Sequence, residues 1–193
     1  MELARWCSHK AGVLSIDSDF FALDEERRLV PRLEATIAQK AGAHVPVLFG
    51  DEHVELVDHV REPVDFIVNF DYHMDCRVEF LRGDAPRVPP SSASVFETLL
   101  SQSLVNRYIW AVPRSRSAQA ALVYSSAFAI NAQPLLTRIH CVSAEYACET
   151  ILDHSTIDLV FVCRSPDYST PETDAVLRRL RSVAASPGNL RSR

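Results

Sequence analysis

The chain repeats one rhythm. A short, unbroken apolar run is followed by a polar segment and then by apolar residues at helical spacing. The runs at 12–16, 45–49, 64–68, 108–112, 135–142 and 157–163 are bounded by acids, Gly, Pro or Ser. Short apolar runs with such borders read as strands. Helical signals fill the intervals. Asp24 reads as the cap of a helical stretch that Pro31 interrupts, with a fresh helix through Lys40. A short helix is expected over 54–60. Ser94 and Glu97 have capping-box spacing ahead of a stripe of Phe96, Leu99, Leu100, Ser103 and Leu104. A helix is expected over 117–128. Ser143 caps a stripe of Ala144, Ala147, Cys148, Ile151 and Leu152. Thr170 and Pro171 take the N-cap and first-turn places of the last helix, whose apolar face is Val176, Leu177 and Leu180.

Strands alternating with helices imply βαβ units and a mainly parallel sheet. The strand runs lack inside–outside alternation, as a sheet covered on both faces requires. The expected fold is therefore α/β, a three-layer αβα sandwich. No internal repeat or linker divides it. Residues 1–184 read as a single domain and 185–193 as a frayed tail.

Composition narrows the chemistry. The chain has 193 residues and a formal net charge of −5. An acidic balance argues against sequence-independent nucleic-acid binding. The glycines, Gly12, Gly42, Gly50, Gly83 and Gly188, are too scattered to build a GxGxxG or Walker loop. Lysine occurs only at Lys10 and Lys40. The cysteines, Cys7, Cys76, Cys141, Cys148 and Cys163, are odd in number and lack a CxxC pair. They read as small core residues, reduced, in a cytoplasmic protein. No apolar stretch is long enough to span a bilayer, and the first residues lack a signal-peptide core.

In a parallel α/β sheet, ligands bind beyond the carboxyl ends of the strands. Acids and imidazoles concentrate there. Asp17-Ser-Asp19 follows the first run, Asp51-Glu52-His53 the second and Asp71-Tyr-His73-Met-Asp75 the third. Ser165-Pro-Asp167 follows the last. In extended chain, residues two apart face the same way, so Asp17 and Asp19 can face one site, as can Asp71, His73 and Asp75, and adding His53 gives four carboxylates and two imidazoles. Four carboxylates brought together would repel strongly, and with lysine nearly absent the natural neutralisers are divalent cations. Oxygen-rich sites with some imidazole suit Mn²⁺, and Zn²⁺ or Fe²⁺ less well. Two ions sharing carboxylates would generate and position a hydroxide. His59 competes with His53 for the first imidazole place. His9, His44, His140 and His154 read as surface or helix-capping residues.

Asp71-Tyr-His73-Met-Asp75 resembles the DAHxD motif of ureohydrolases, the arginase and agmatinase group. Ser15-Ile-Asp17-Ser-Asp19-Phe-Phe resembles their SxDxD motif. It is closer still to the SIDxDFF form of a small, divergent arginase-like family that includes peptide arginases. Gly50-Asp51-Glu52-His53 is similar to the GGDH segment carrying the first histidine ligand. Cys163-Arg-Ser-Pro-Asp-Tyr168 resembles the loop after that family's last strand. The resemblance implies an arginase-like fold with two Mn²⁺ ions. Asp17 and Asp71 would each bridge them. His53 and Asp75 would complete one ion, His73 and Asp19 the other. The bridging hydroxide would attack a guanidinium carbon and release urea. Asp167 is the candidate for gripping the guanidinium, with Glu52 as its rival. In ureohydrolases the SxDxD strand follows the DAHxD strand, whereas here it precedes it, an order that a circular permutation allows. The short chain implies pared-down loops and an open site. An arginine-containing peptide, converted to ornithine plus urea, is the expected substrate, with the Pro-rich stretch 82–93 as a border of its groove.

Two other readings compete. Val13-Leu-Ser-Ile-Asp17-Ser-Asp19 also resembles the opening motif of haloacid-dehalogenase-type phosphatases, in which Asp17 would be the nucleophile and Asp19 the general acid. That class needs a later lysine and a distal acidic pair, and only Lys40 is available. A non-catalytic arginase-like domain that binds metal or a peptide is the other.

Overall fold

The computed structural model describes residues 2–8, 10–77, 89–116 and 137–186. Six strands form one sheet: β1 (Ala11–Asp17), β2 (Val47–Gly50), β3 (Val64–Phe70), β4 (Val105–Val112), β5 (Ile139–Ser143) and β6 (Thr156–Cys163). Every pairing is parallel, in the order β2-β6-β1-β3-β4-β5. The expected mainly parallel sheet with flanking helices is present. The helix expected over 117–128, His9 and most of the 185–193 tail lie outside the described residues.

Two cores sandwich the sheet because side chains alternate along each strand. Leu14, Ile16, Phe66, Val68, Val160 and Val162 point to one face. There they meet the helices Val30–Gly42 and Pro171–Ala185. Val13, Ile67, Tyr108, Trp110 and Phe161 point to the other and meet the helix Val95–Ser101. Continuous apolar runs are the consequence, since both faces are dry.

Local signals held in most places. Ser143 caps its helix by accepting from the Tyr146 amide, and Thr170 accepts from Thr173 with Pro171 in the first turn. Two expectations need correction. Asp24 is the first residue of the short helix Asp24–Arg27, whose N-cap is Leu23. Ser94 makes no side-chain cap for Val95–Ser101. Instead, Ser91 and Ser94 form a reciprocal box one turn earlier, and Glu97 turns away to take the Arg77 guanidinium at 2.9 Å. A charge-assisted pair outcompetes a neutral amide for that carboxylate.

β1 lies inside the sheet, between β3 and β6. The loops after these three strands therefore emerge side by side at the carboxyl edge, carrying Asp17, Asp71 and the Ser165–Asp167 segment. β2, beside β6, delivers His53 to the same edge.

Candidate metal centre

Asp17, Asp19, His53, Asp71, His73 and Asp75 are brought together at this edge, lining a cavity of about 550 Å³ or, for His53, buried beneath it. Extended-chain alternation does not achieve this. At Asp17 the chain leaves β1 and winds into a 3-10 turn, Ser18–Ala22, and the Asp19 amide donates back to Asp17 Oδ1 at 3.1 Å. After β3 the His73 amide donates to Asp71 Oδ1 at 2.8 Å, and Asp75 adopts a left-handed φ of 48°. Short Asp-centred turns curl each acidic segment back onto its own strand end.

Of the two histidines competing for the first imidazole place, His53 lies in the cluster and His59 is exposed outside it. The His53 ring is fully buried, stacked on Phe161 and edge-on to Phe96. Its Nδ1 lies 2.8 Å from Asp75 Oδ2, 3.1 Å from Asp71 Oδ2 and 3.7 Å from Asp17 Oδ2. Its Nε2 lies 2.7 Å from Ser15 Oγ. If Nε2 donates to Ser15, the Nδ1 lone pair is left for a cation among the three carboxylates. His73, at the mouth, has Nδ1 3.0 Å from Asp19 Oδ2.

Outer contacts hold the carboxylates. Asn69 donates to Asp71 Oδ2 at 3.2 Å, and the Trp110 indole donates to the Asp71 carbonyl at 2.9 Å. Tyr72 donates its amide to Asp19 Oδ1, and Ser165 donates its hydroxyl to Asp17 Oδ2. The Tyr108 hydroxyl donates to the Met74 carbonyl at 2.7 Å, fixing the segment between His73 and Asp75.

The electrostatics are those of a site short of positive charge. Burial and the Asp75 charge push Asp71 up to about 7. Burial also raises Asp17 and Asp19, each with help from a neighbouring carboxylate. Burial alone would lower His53, but hydrogen bonds to Asp71 and Asp75 more than offset it and leave the imidazole well above its usual value. The Asp19 contact raises His73. In the absence of a cation, protons are what this cluster holds. Both lysines lie elsewhere. Lys10 precedes β1 and pairs with Asp65, and Lys40 ends a helix ahead of β2.

Among the described residues, three overlapping groups have ligand atoms close enough to hold a metal ion: Asp19, Asp71 and His73; His53, Asp71 and Asp75; and Asp17, His53 and Cys163. Asp71 is common to the first two. Asp17 falls only in the third, so its grouping differs from the expected pair of bridges. Cys163, expected as plain core, stands among the donors. Asp167 and Glu52 are exposed on the cavity wall, as is Tyr168, whose ring lies 4.9 Å from that of His73. Ser91–Ala93 line another side, so the described end of the Pro-rich stretch does border the site. His44 and His154 are exposed, but His140 is half-buried, and its pKa is lowered by burial and by Arg107. Compared with protein families, curated proteins and solved structures, the chain matches none of them.

Proposed function

We propose that this protein is a cytoplasmic, binuclear Mn²⁺-dependent hydrolase of guanidino groups, and that it is a peptide arginase converting arginine side chains to ornithine and urea. The observation that carries the reading is the meeting of the two resembling motifs. Asp17–Asp19 and Asp71–Asp75 come from neighbouring parallel strands and share one cavity with His53. The donor set fits such a pair of ions, since it is oxygen-rich with two imidazoles and has a carboxylate common to two groups. When bound, the ions would supply an activated water and polarise the reacting carbon.

The chain's own residues have the remaining roles. Asp71 supplies negative charge to both halves of the site, and Asp17 to the half that holds His53. His53 and Asp75 hold the inner half, Asp19 and His73 the outer. Asp167 and Glu52 stand where a cationic guanidinium would enter and can pair with its N–H groups. In this reading the sheet is a permuted arginase-like one. The phosphatase alternative would need a lysine beside Asp17, whereas Lys10 pairs with Asp65 ahead of β1 and Lys40 lies in the last turn of the helix ahead of β2.

The test is incubation of Mn²⁺-loaded protein with arginine, agmatine and an arginine-containing peptide, followed by urea assay and mass spectrometry. Urea release with loss of the elements of cyanamide from internal arginines is expected. Tight metal binding without turnover of any guanidino compound would select the non-catalytic metal-binding domain.

A further inference from the structure

Cys163 ends β6 and is paired in register with Asp17 on β1. One strand further, Ile16 is paired with Phe70, which sets Asp71 level with Asp17. Laterally paired residues point to the same side of a sheet. Cys163, Asp17 and Asp71 therefore form a row across β6, β1 and β3, on the face that carries Val13, Ile67 and Phe161. His53 covers one end of this row, its ring stacked on Phe161, two residues before Cys163.

The Cys163 sulfur, an Asp17 oxygen and a His53 ring nitrogen all lie within 4.8 Å of one another. All three residues are buried, at 0, 2 and 0% exposure. Among the described residues, no other cysteine joins a group with metal-ligand spacing. The thiol sits at the edge of the apolar core with the Asp17 carboxylate beside it, where a Val or Ala would pack but offer no donor atom. One sulfur, one imidazole nitrogen and one carboxylate oxygen form a donor set typical of zinc-like ions. Mn²⁺ prefers oxygen.

We propose that Cys163 is a metal ligand, forming with His53 and Asp17 an inner subsite for a thiophilic divalent ion of the Zn²⁺ or Co²⁺ kind. This rests on the reading that the acidic cluster holds metal, and it replaces Mn²⁺ by a thiophilic ion in the inner half of that centre, but it does not rest on the identity of the substrate. On binding, the Sγ–H bond breaks, its proton leaves to solvent, and the sulfur electron pair forms the bond to the ion, with no change of oxidation state. The two halves of the centre then differ in kind. The inner half selects for softness, and the outer half, around Asp19, Asp71 and His73, selects for hard oxygen coordination.

The full chain, stripped of metal, is loaded with one equivalent of Co²⁺ or Zn²⁺. A thiolate-to-cobalt charge-transfer band is expected in the near ultraviolet. X-ray absorption of the zinc form should show one sulfur at about 2.3 Å. In Cys163→Ser both signals should vanish and Zn²⁺ affinity should fall at least about tenfold, with Mn²⁺ affinity changing far less. Purely nitrogen and oxygen scattering in the unaltered chain overturns the proposal, and this measurement stands even if the variant does not fold. A sulfur signal that survives in Cys163→Ser also overturns it, assigning the sulfur to Cys76 on the cavity wall. Failure to bind Zn²⁺, Co²⁺ or Mn²⁺ overturns the metal reading as well. A sulfur signal without urea release would uphold this subsite and sink only the arginase activity.

Discussion

Asp71 is the residue on which most of the site depends. Its side chain accepts from Asn69 and the His73 amide, its carbonyl accepts from Trp110, and it lies within reach of both histidines' groups. Replacing it with Asn keeps the shape and removes a charge common to the Asp19–His73 and His53–Asp75 groups. Asp71→Asn is expected to lose at least tenfold in Mn²⁺ affinity by calorimetry, with an unchanged helical circular-dichroism signal. Full metal occupancy in that variant would end its bridging role. Ser15 acts at one remove. Its Oγ lies 2.7 Å from His53 Nε2 and holds the ring with Nδ1 turned toward the carboxylates. Ser15→Ala should weaken Mn²⁺ binding by about 10–100-fold, the usual cost of losing an outer-sphere partner. An unchanged affinity would mean that packing by Phe161 and Phe96 suffices to orient the ring.

The elements show why a short acidic sequence becomes a site. The Phe66 ring from β3 lies directly over Gly12 of β1, where a Cβ would sit 2.2 Å from it. Gly12→Ala should destabilise the fold by about 1–3 kcal/mol, seen as a lower denaturation midpoint with an unchanged slope. A neutral result would show that the buried ring can move aside. The six strands were legible because dry faces on both sides demand unbroken apolar runs, and that signal is local. β3 extends past the expected 64–68 because Asn69 interrupts the apolar run while its backbone stays in the sheet and its amide holds Asp71. The acidic motifs were legible, but their curled geometry was not, since Asx-type turns replace the extended alternation assumed from spacing. Cys163 was missed for a different reason. Nothing in the sequence around it signals a ligand, and only the register of β6 against β1 sets it beside Asp17. Glu97 likewise was read as a local cap because its true partner, Arg77, lies 20 residues away.

At the scale of the whole molecule, the cluster couples folding to both protons and metal. Asp71 has a pKa of about 7 in the folded chain, against ~3.9 unfolded. Its protonated form is favoured by folding, so its contribution to metal-free stability is fully present below the unfolded value and is lost as pH rises through about 7. The raised His53 and His73 act in the same direction, stabilising below ~6.5 and losing that contribution as pH rises through their folded values. Metal-free protein should therefore melt at a lower temperature at pH 8 than at pH 5.5, with a shallower dependence in Asp71→Asn. Added Mn²⁺ should raise the melting temperature most at pH 8, where it replaces missing protons. A metal-free melting temperature that rises over this interval would refute the proton-holding cluster. The same acidity bears on the substrate. The chain carries net charge −5, and Glu52 and Asp167 stand exposed on the cavity wall with Tyr168 beside them. Such a mouth attracts a cation. Among the described residues that line the cavity there is no arginine or lysine, Arg114 and Arg116 beyond β4 included, so this part of the wall holds no guanidinium or ammonium for a free amino acid's carboxylate. An arginine held within a peptide has no such carboxylate to satisfy and can use the rim along Ser91–Ala93 for its flanking backbone. Turnover of an internal arginyl peptide is therefore expected to exceed that of free arginine by at least about tenfold in kcat/KM, a difference of only ~1.4 kcal/mol in transition-state binding. The comparison is made by urea release at matched Mn²⁺ loading. Free arginine turned over faster than every internal arginyl peptide would show that the site closes on small substrates, even if its metal chemistry is as proposed.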